Sequence, residues 1–232
     1  MEAMRQLPLG MRLPDRANFA SFEVGANQAA LQQLRALASG ATREVVWLAG
    51  PAGSGKSHLL HAVCAAAGPG RASYVALGEA RAVGPGVLEG RGGRGILCLD
   101  ELAAVAGRLE WEAELFRLWL AAEEHAGSLV VAAREPPALL AFALADLGSR
   151  LAAANVLQLR PLDAAGQRDA LRLRAGMRGL ELPDETLQYL QSRFPRDMQT
   201  LYQLLDTLDT AALEAQRRIT VPFIRDVLAA RC

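Results

Sequence analysis

Gly50-Pro51-Ala52-Gly53-Ser54-Gly55-Lys56-Ser57 stands directly between the apolar run Val45-Val46-Trp47-Leu48-Ala49 and a stretch, 56–67, with a helical pattern. A glycine-rich loop that leaves a strand and opens a helix at GxxxxGK[ST] spacing is suited to holding phosphate. Its glycines let backbone N–H groups curl around a β-phosphate, and the helix N-terminus adds partial positive charge. Lys56 reaches the β/γ-phosphates and the Ser57 hydroxyl holds Mg²⁺. Gly50, Pro51, Gly53, Ser54, Gly55, Lys56 and Ser57 are therefore the expected nucleotide contacts. Lys56 is the one lysine among 25 basic residues. A compact ammonium reaching a phosphate is the place where arginine substitutes worst.

The strand before this loop has companions. Residues 72–77, 95–99, 128–132 and 155–159 are short apolar runs without clean alternation, as expected of strands in a parallel sheet with both faces covered. Helical patterns near 27–39, 56–67, 110–126 and 138–147 supply the intervening βα rhythm, with Asn27 as the expected N-cap of the first. Gly84–Gly95 reads as a mobile loop. From Pro161 onward strand patterns stop. Asp163 is placed to cap a helix closed by Gly179, and Asp184 another running to Phe194. Met198, Leu201, Leu205, Leu208 and Ala212 form one apolar stripe, and Thr220 opens a last helix. The expectation is an extended tail over 1–18, an α/β domain over 19–160 with a five-stranded parallel sheet flanked by helices, and a small all-helical domain over 161–232.

Ile96-Leu97-Cys98-Leu99-Asp100-Glu101 is an apolar strand ending in two carboxylates. At the mouth of a phosphate loop, the first acid can orient Mg²⁺ through water and the second can polarise an attacking water. The other reading of Glu101 is an acid favoured by a helix start. Arg150 precedes the last strand at a domain edge, where it is either a surface arginine or a cation offered to the γ-phosphate of a neighbouring subunit. Arg196 opens a helix, where a cation opposes the helix dipole; either a nucleotide phosphate or Asp197 offsets it.

Composition narrows the function classes. Equal numbers of acids and bases, 25 each, give zero net charge and no overall field for nucleic acid, so any such contact is local or indirect. No membrane-length apolar run or signal peptide is visible, and a cytoplasmic protein is expected. Cys64, Cys98 and Cys232 lack metal or disulfide spacing and read as small hydrophobes plus a terminal thiol. His58 and His61 have no companion ligands and read as packing or surface residues. Trp111, Phe116 and Trp119 read as core, and Glu110, Glu112, Glu114, Glu123 and Glu124 as a solvated helix face.

With these residues set out, the sequence resembles the AAA+ family, in the branch of the initiator DnaA and its regulatory homologue Hda. The resemblance spans nearly the whole chain: Phe19-Ala20-Ser21-Phe22 with Gly25 and Asn27, the phosphate loop, Asp100-Glu101, Pro136-Pro137, Ser149-Arg150-Leu151 and Arg196-Asp197-Met198. A full initiator carries a further helix-turn-helix domain, whereas this sequence stops at Cys232 after the helical lid, which favours the regulatory side. Gln6-Leu7-Pro8-Leu9 resembles the peptide by which Hda docks on the β sliding clamp of DNA polymerase III; its glutamine can hydrogen-bond and its leucines can fill an apolar groove.

The resemblance implies an ADP- or ATP-binding regulator, with Mg²⁺, that is held on clamp-loaded DNA and promotes ATP hydrolysis by DnaA. It touches DNA only through the clamp. By position Arg150 resembles the arginine finger and Arg196 the lid arginine that contacts nucleotide. Gln6, Leu7 and Leu9 are the implied clamp contacts, and self-association is expected because such sites are shared between neighbours. Two departures matter: Ala132-Ala133-Arg134-Glu135 stands where the family usually has a polar sensor, and the carboxylate pair Asp100-Glu101 is kept where many relatives lost it. Slow intrinsic turnover at most is expected. The competing readings are a DnaA- or DnaC-like helicase loader and an autonomous ATPase.

Overall fold

The computed structural model describes residues 17–194 and 197–229. Each apolar run read as a strand forms one: β1 (Val45–Ala49), β2 (Ala72–Ala76), β3 (Ile96–Asp100), β4 (Ser128–Ala133) and β5 (Asn155–Gln158) make one parallel sheet in the order β2-β3-β4-β1-β5. Residues of alternate parity go to opposite faces, and both faces are covered, which is why the runs are continuously apolar. Val46, Leu48, Cys98 and Val130 pack beneath α1 (Gln28–Ser39) and α2 (Lys56–Ala67). Trp47, Leu97, Leu99, Leu129 and Val131 pack beneath α4 (Leu109–Glu124) and α5 (Ala145–Ala152), whose Trp111, Leu115, Trp119, Leu147 and Leu151 fill that side. A short turn of helix, α3 (Leu77–Ala80), follows β2.

The segment after β5 is helical throughout its described part, with α6 (Ala164–Met177), α7 (Asp184–Arg193), α8 (Met198–Ala215) and α9 (Val221–Ala229) closing on a core of their own. The stripe Met198, Leu201, Leu205, Leu208 and Ala212 is wholly buried. The Asp163 carboxylate accepts from Gly166 N at 2.8 Å, Asp197 accepts from the N–H groups of Gln199 and Thr200, and the Thr220 hydroxyl accepts from Phe223 N. Each satisfies backbone donors that a helix start leaves unpaired.

Several local expectations are corrected. Asn27 does not cap α1: its amide donates to Arg160 O (2.9 Å) and its Oδ1 accepts from Arg160 N (2.8 Å), tying the start of the domain to the chain leaving β5. Asp184 is the first residue of α7, after Pro183, rather than its cap. The helix expected over 138–147 is a 3₁₀ turn at Pro137–Leu139, and the α-helix comes later, at Ala145–Ala152. Gly84–Gly95 contains a 3₁₀ turn, Pro85–Leu88, that seats Leu88 fully in the core.

Glu112 is not part of a solvated face. It is completely buried, and its two carboxylate oxygens accept from Gly107 N and Leu144 N, each at 2.6 Å. Glu110, Glu123 and Glu124 are exposed as expected, and Glu114 is half-buried. Cys64 and Cys98, distant in sequence, are neighbours across α2 and β3; hydrogen bonding to Cys98 holds the Cys64 thiol below its ordinary value and pushes Cys98 up. Among the described residues no helix is long and apolar enough to cross a membrane.

Candidate functional site

The loop between β1 and α2 is bent by Gly53 (φ 74°) and Gly55 (φ 92°), both in the left-handed region. A Cβ on Gly55 would lie 2.6 Å from Phe22 Cε2, so the entering segment packs straight onto the loop. Gly55→Ala is therefore expected to cost about 1–3 kcal/mol through left-handed strain and the clash. A thermal melt without nucleotide checks this; an unchanged midpoint would mean that the loop relaxes freely.

Lys56 folds back over its own loop, its Nζ donating to Gly50 O (2.7 Å) and Pro51 O (2.9 Å). Burial pulls its pKa below 10.5; Asp100 opposes this shift and Arg134 adds to it. The Ser54 hydroxyl is buried without a partner inside the loop. Gly50 N donates to the carbonyl of Arg134, at the end of β4, at 3.0 Å. That bond fixes the loop's first residue to the neighbouring strand.

Beside the loop, β3 delivers Asp100. It is buried, with Oδ2 accepting from Tyr74 OH (3.0 Å) and Oδ1 from Glu101 N (2.9 Å). Tyr74, stacked on His61 with ring centroids 4.1 Å apart, was not singled out by sequence reasoning. Its signal was register: Ala76 pairs with Asp100, so Tyr74 two residues back lies on the same face. Burial first, then Asp100, raises the Tyr74 phenol, which stays a neutral donor. Glu101 sits at φ 57°, uncommon for a residue with a side chain, and its Oε2 fills the space where Gly78 has no Cβ. Glu101 immediately precedes a short 3₁₀ turn, Leu102–Ala104, and its carboxylate lies against Gly78, just after β2.

Gly53, Gly55, Lys56, Ser57, Asp100 and Glu101 line one cleft of about 860 Å³ between the sheet and the lid. Arg134 and Arg81 line it from the α/β domain, and Arg174, Gln199, Tyr202 and Asp206 from α6 and α8. Arg174 lies over the Tyr202 ring at 4.3 Å and pairs with Asp206 at 3.3 Å. These lid residues escaped sequence reading because a helical stripe reports which side faces a core, not which domain the other side faces. A smaller recess of about 50 Å³ adjoins the cleft, sharing Gly53, Gly55 and Tyr202, and is closed by Phe22, Asn27 and Leu162. His58 lies at its wall: Nε2 is 3.0 Å from Asn18 O, and burial lowers its pKa, so it is a packed neutral ring as expected.

The residues fit a phosphate group: Gly53, Gly55 and the half-buried ammonium of Lys56 line one cleft, and the orphaned Ser54 hydroxyl lies within the same loop. Among the described residues no group of three His, Cys, Asp or Glu side chains could hold a metal ion. A Mg²⁺ ion at this position fits only with Ser57, phosphate oxygens and water as ligands, with Asp100, already hydrogen-bonded, acting through water.

Arg150 is elsewhere. It lies within α5, where Nη1 donates to both oxygens of Glu123 (2.9 and 3.0 Å) and the guanidinium covers the Phe116 ring at 5.5 Å. Glu123 stands at the end of α4, just before β4 begins, and so near the end of the sheet opposite the phosphate loop. Arg150 does not line its own chain's cleft. Arg196, Gln6, Leu7 and Leu9 lie outside the described residues.

A parallel sheet in this strand order, a phosphate loop after β1, an acid pair after β3 and a helical lid over the cleft make up a fold of the AAA+ kind. Residues 164–228 match the family described as Hda, lid domain. The fold is shared with domain III of the replication initiation protein DnaA from Thermotoga maritima, at 19% identity and a TM-score of 0.77 over 94% of this chain and 97% of that one. It is also similar to AMPPCP-bound DnaA from Aquifex aeolicus (20% identity, TM-score 0.65, 82% of this chain and 64% of that). The RuvB Holliday junction branch migration motor of Thermotoga maritima follows (18%, 0.66, 92% and 73%). The chain is thus similar to Hda over its lid and to DnaA in its fold.

Proposed function

We propose that the chain binds ADP or ATP, with Mg²⁺, in the cleft between sheet and lid, and regulates replication initiation by stimulating ATP hydrolysis on the initiator DnaA while tethered to the sliding clamp. The nucleotide part of this reading is supported by the phosphate cradle and by the AMPPCP bound to a DnaA of the same fold. In it, the recess walled by Phe22 takes the base, the loop and Lys56 take the phosphates, and Arg174 and Arg196 approach from the lid. Gln6, Leu7 and Leu9 form the clamp contact.

One observation carries the regulatory part: Arg150 points away from its own cleft while its guanidinium is held ready on an exposed edge. A cation in that position serves a neighbour's nucleotide, stabilising charge that develops on the transferred phosphoryl oxygens. Its pairing with Glu123 is solvent-exposed and therefore weak, so it can be exchanged for a phosphate without large cost. With Arg134 beside the acid pair, the chain's own hydrolysis is slow at most.

The test is ATP hydrolysis by purified DnaA on clamp-loaded DNA, with and without the ADP-bound chain. Arg150→Ala is expected to lower the stimulated rate by about 10³-fold or more, the range known for arginine fingers, with ADP binding unchanged. Stimulation by the variant equal to that of the parent would remove Arg150 from this role. Clamp pulldown is expected to be lost on replacing Gln6 and Leu7 together with alanine.

A further inference from the structure

At the end of the sheet opposite the phosphate loop, the segments that lead into β1, β2, β3 and β4 converge on a recess of about 220 Å³. Arg43, Arg71 and Arg94 line it, together with the hydroxyl residues Thr42 and Ser128, and no carboxylate residue does. Local packing brings the three arginines together. Gly40 turns with φ 83°, and a Cβ there would come within 3.3 Å of Arg71 Nη2. A Cβ on Gly95 would lie 2.8 Å from Arg71 O, and Ile96 N donates to that same carbonyl at 2.9 Å. Gly95 thus lets the Arg71 and Arg94 segments close on each other, and Gly40 leaves room for the Arg71 guanidinium beside the segment that leads to Arg43.

The charge of this recess is unusual for this molecule. Arg117, Arg150, Arg172, Arg174, Arg178 and Arg217 each face a carboxylate within 4 Å. Among the described residues, none of the three arginines in the recess does. Glu44, next to Arg43, is turned away and accepts from Gln33 and Asn155. Three exposed guanidiniums grouped without a counter-charge repel one another, and a polyvalent anion relieves that repulsion. Guanidinium forks match the oxygens of phosphate, and neighbouring hydroxyls can supply further donors.

We propose that the Arg43/Arg71/Arg94 recess is a second phosphate-binding site, separate from the nucleotide cleft. The phosphate is carried either by a free phosphate compound or by a nucleic-acid backbone. This does not depend on the function proposed above, because the recess lies at the other end of the sheet and shares no lining residue with the cleft.

The test uses the full chain carrying Lys56→Ala, which keeps the probes off the phosphate loop, with and without Arg43→Gln, Arg71→Gln and Arg94→Gln together. Pyrophosphate binding is followed by calorimetry and binding of a labelled single-stranded oligonucleotide by anisotropy. At least one probe is expected to bind, and the triple replacement is expected to weaken it at least about tenfold. If the oligonucleotide binds, neutralising three phosphates predicts a slope of log K against log salt near −2. Oligonucleotide binding with little pyrophosphate binding assigns the site to a nucleic-acid backbone; the reverse assigns it to a free phosphate compound. The three residues are exposed, so the triple variant is expected to melt as its parent does. No binding of either probe, unchanged affinity in the triple variant, or tighter binding of poly-glutamate than of both probes would overturn the proposal.

Discussion

Lys56→Ala is expected to reduce ATP affinity by about 10²–10³-fold, measured by calorimetry or a fluorescent nucleotide, while the thermal midpoint of the nucleotide-free chain moves little. The ammonium supplies charge-assisted hydrogen bonds to phosphate in a half-buried site, each worth about 1.5–3 kcal/mol, and two of them account for a loss of this size. Without nucleotide the same group spans only Gly50 O and Pro51 O; Pro51 is exposed, so water can satisfy its carbonyl once the side chain is gone, and the buried Gly50 carbonyl is left to the space the side chain vacates. Burial already works against the ammonium, so an anion bound beside it returns interaction that the empty loop does not provide. Arg134 sharpens the test, since it places a second cation on the same cleft. Arg134→Ala is expected to weaken ATP binding by about tenfold, the lesser effect of the two, through loss of an electrostatic contact rather than of the loop's frame. Equal ATP affinity in Lys56→Ala and the parent would mean that nucleotide is not held at this loop.

How much of this was legible in the sequence depended on how local the cause was. The strands were readable because a sheet covered on both faces demands continuous apolar runs, and the runs near 45, 72, 96, 128 and 155 all became β-strands. The loop was readable because its glycines, Lys56 and Ser57 are consecutive. Asp100 and Glu101 were readable because they end a strand, and the structure puts both on the same cleft as Lys56. What stayed hidden was set by contacts across the fold. Asn27 has the side chain of a cap, yet the backbone of Arg160, 133 residues away, claims it. Tyr74 reaches Asp100 only through strand register, and Arg174 and Asp206 reach the cleft only because the lid folds over it. Arg150 was expected between a helix and the last strand but belongs to α5, because the turns over 137–144 delay that helix.

Glu112 shows the same limit most sharply, and its replacement has the largest expected effect on stability. On α4 it falls among acids that are exposed, and charge alone gives no reason to separate it from them. The fold turns it inward, where it accepts two short hydrogen bonds, from Gly107 N and from Leu144 N. Glu112→Ala leaves both buried N–H groups without an acceptor, at about 1–3 kcal/mol each, and opens a cavity besides. The expected loss is about 3–5 kcal/mol, read as a lower urea midpoint and a fall in melting temperature of about 10 °C. Glu112→Gln, which keeps the volume but turns an NH₂ toward one of the two donors, is expected to recover only part of that. A change below about 1 kcal/mol for the alanine variant would mean that the carboxylate is solvated after all. Leu144 is the residue from which α5 starts, and α5 carries Arg150. The buried carboxylate therefore anchors the helix that presents the proposed finger, and Glu112→Gln at a temperature where it remains folded should lower stimulation of DnaA more than it lowers ADP binding.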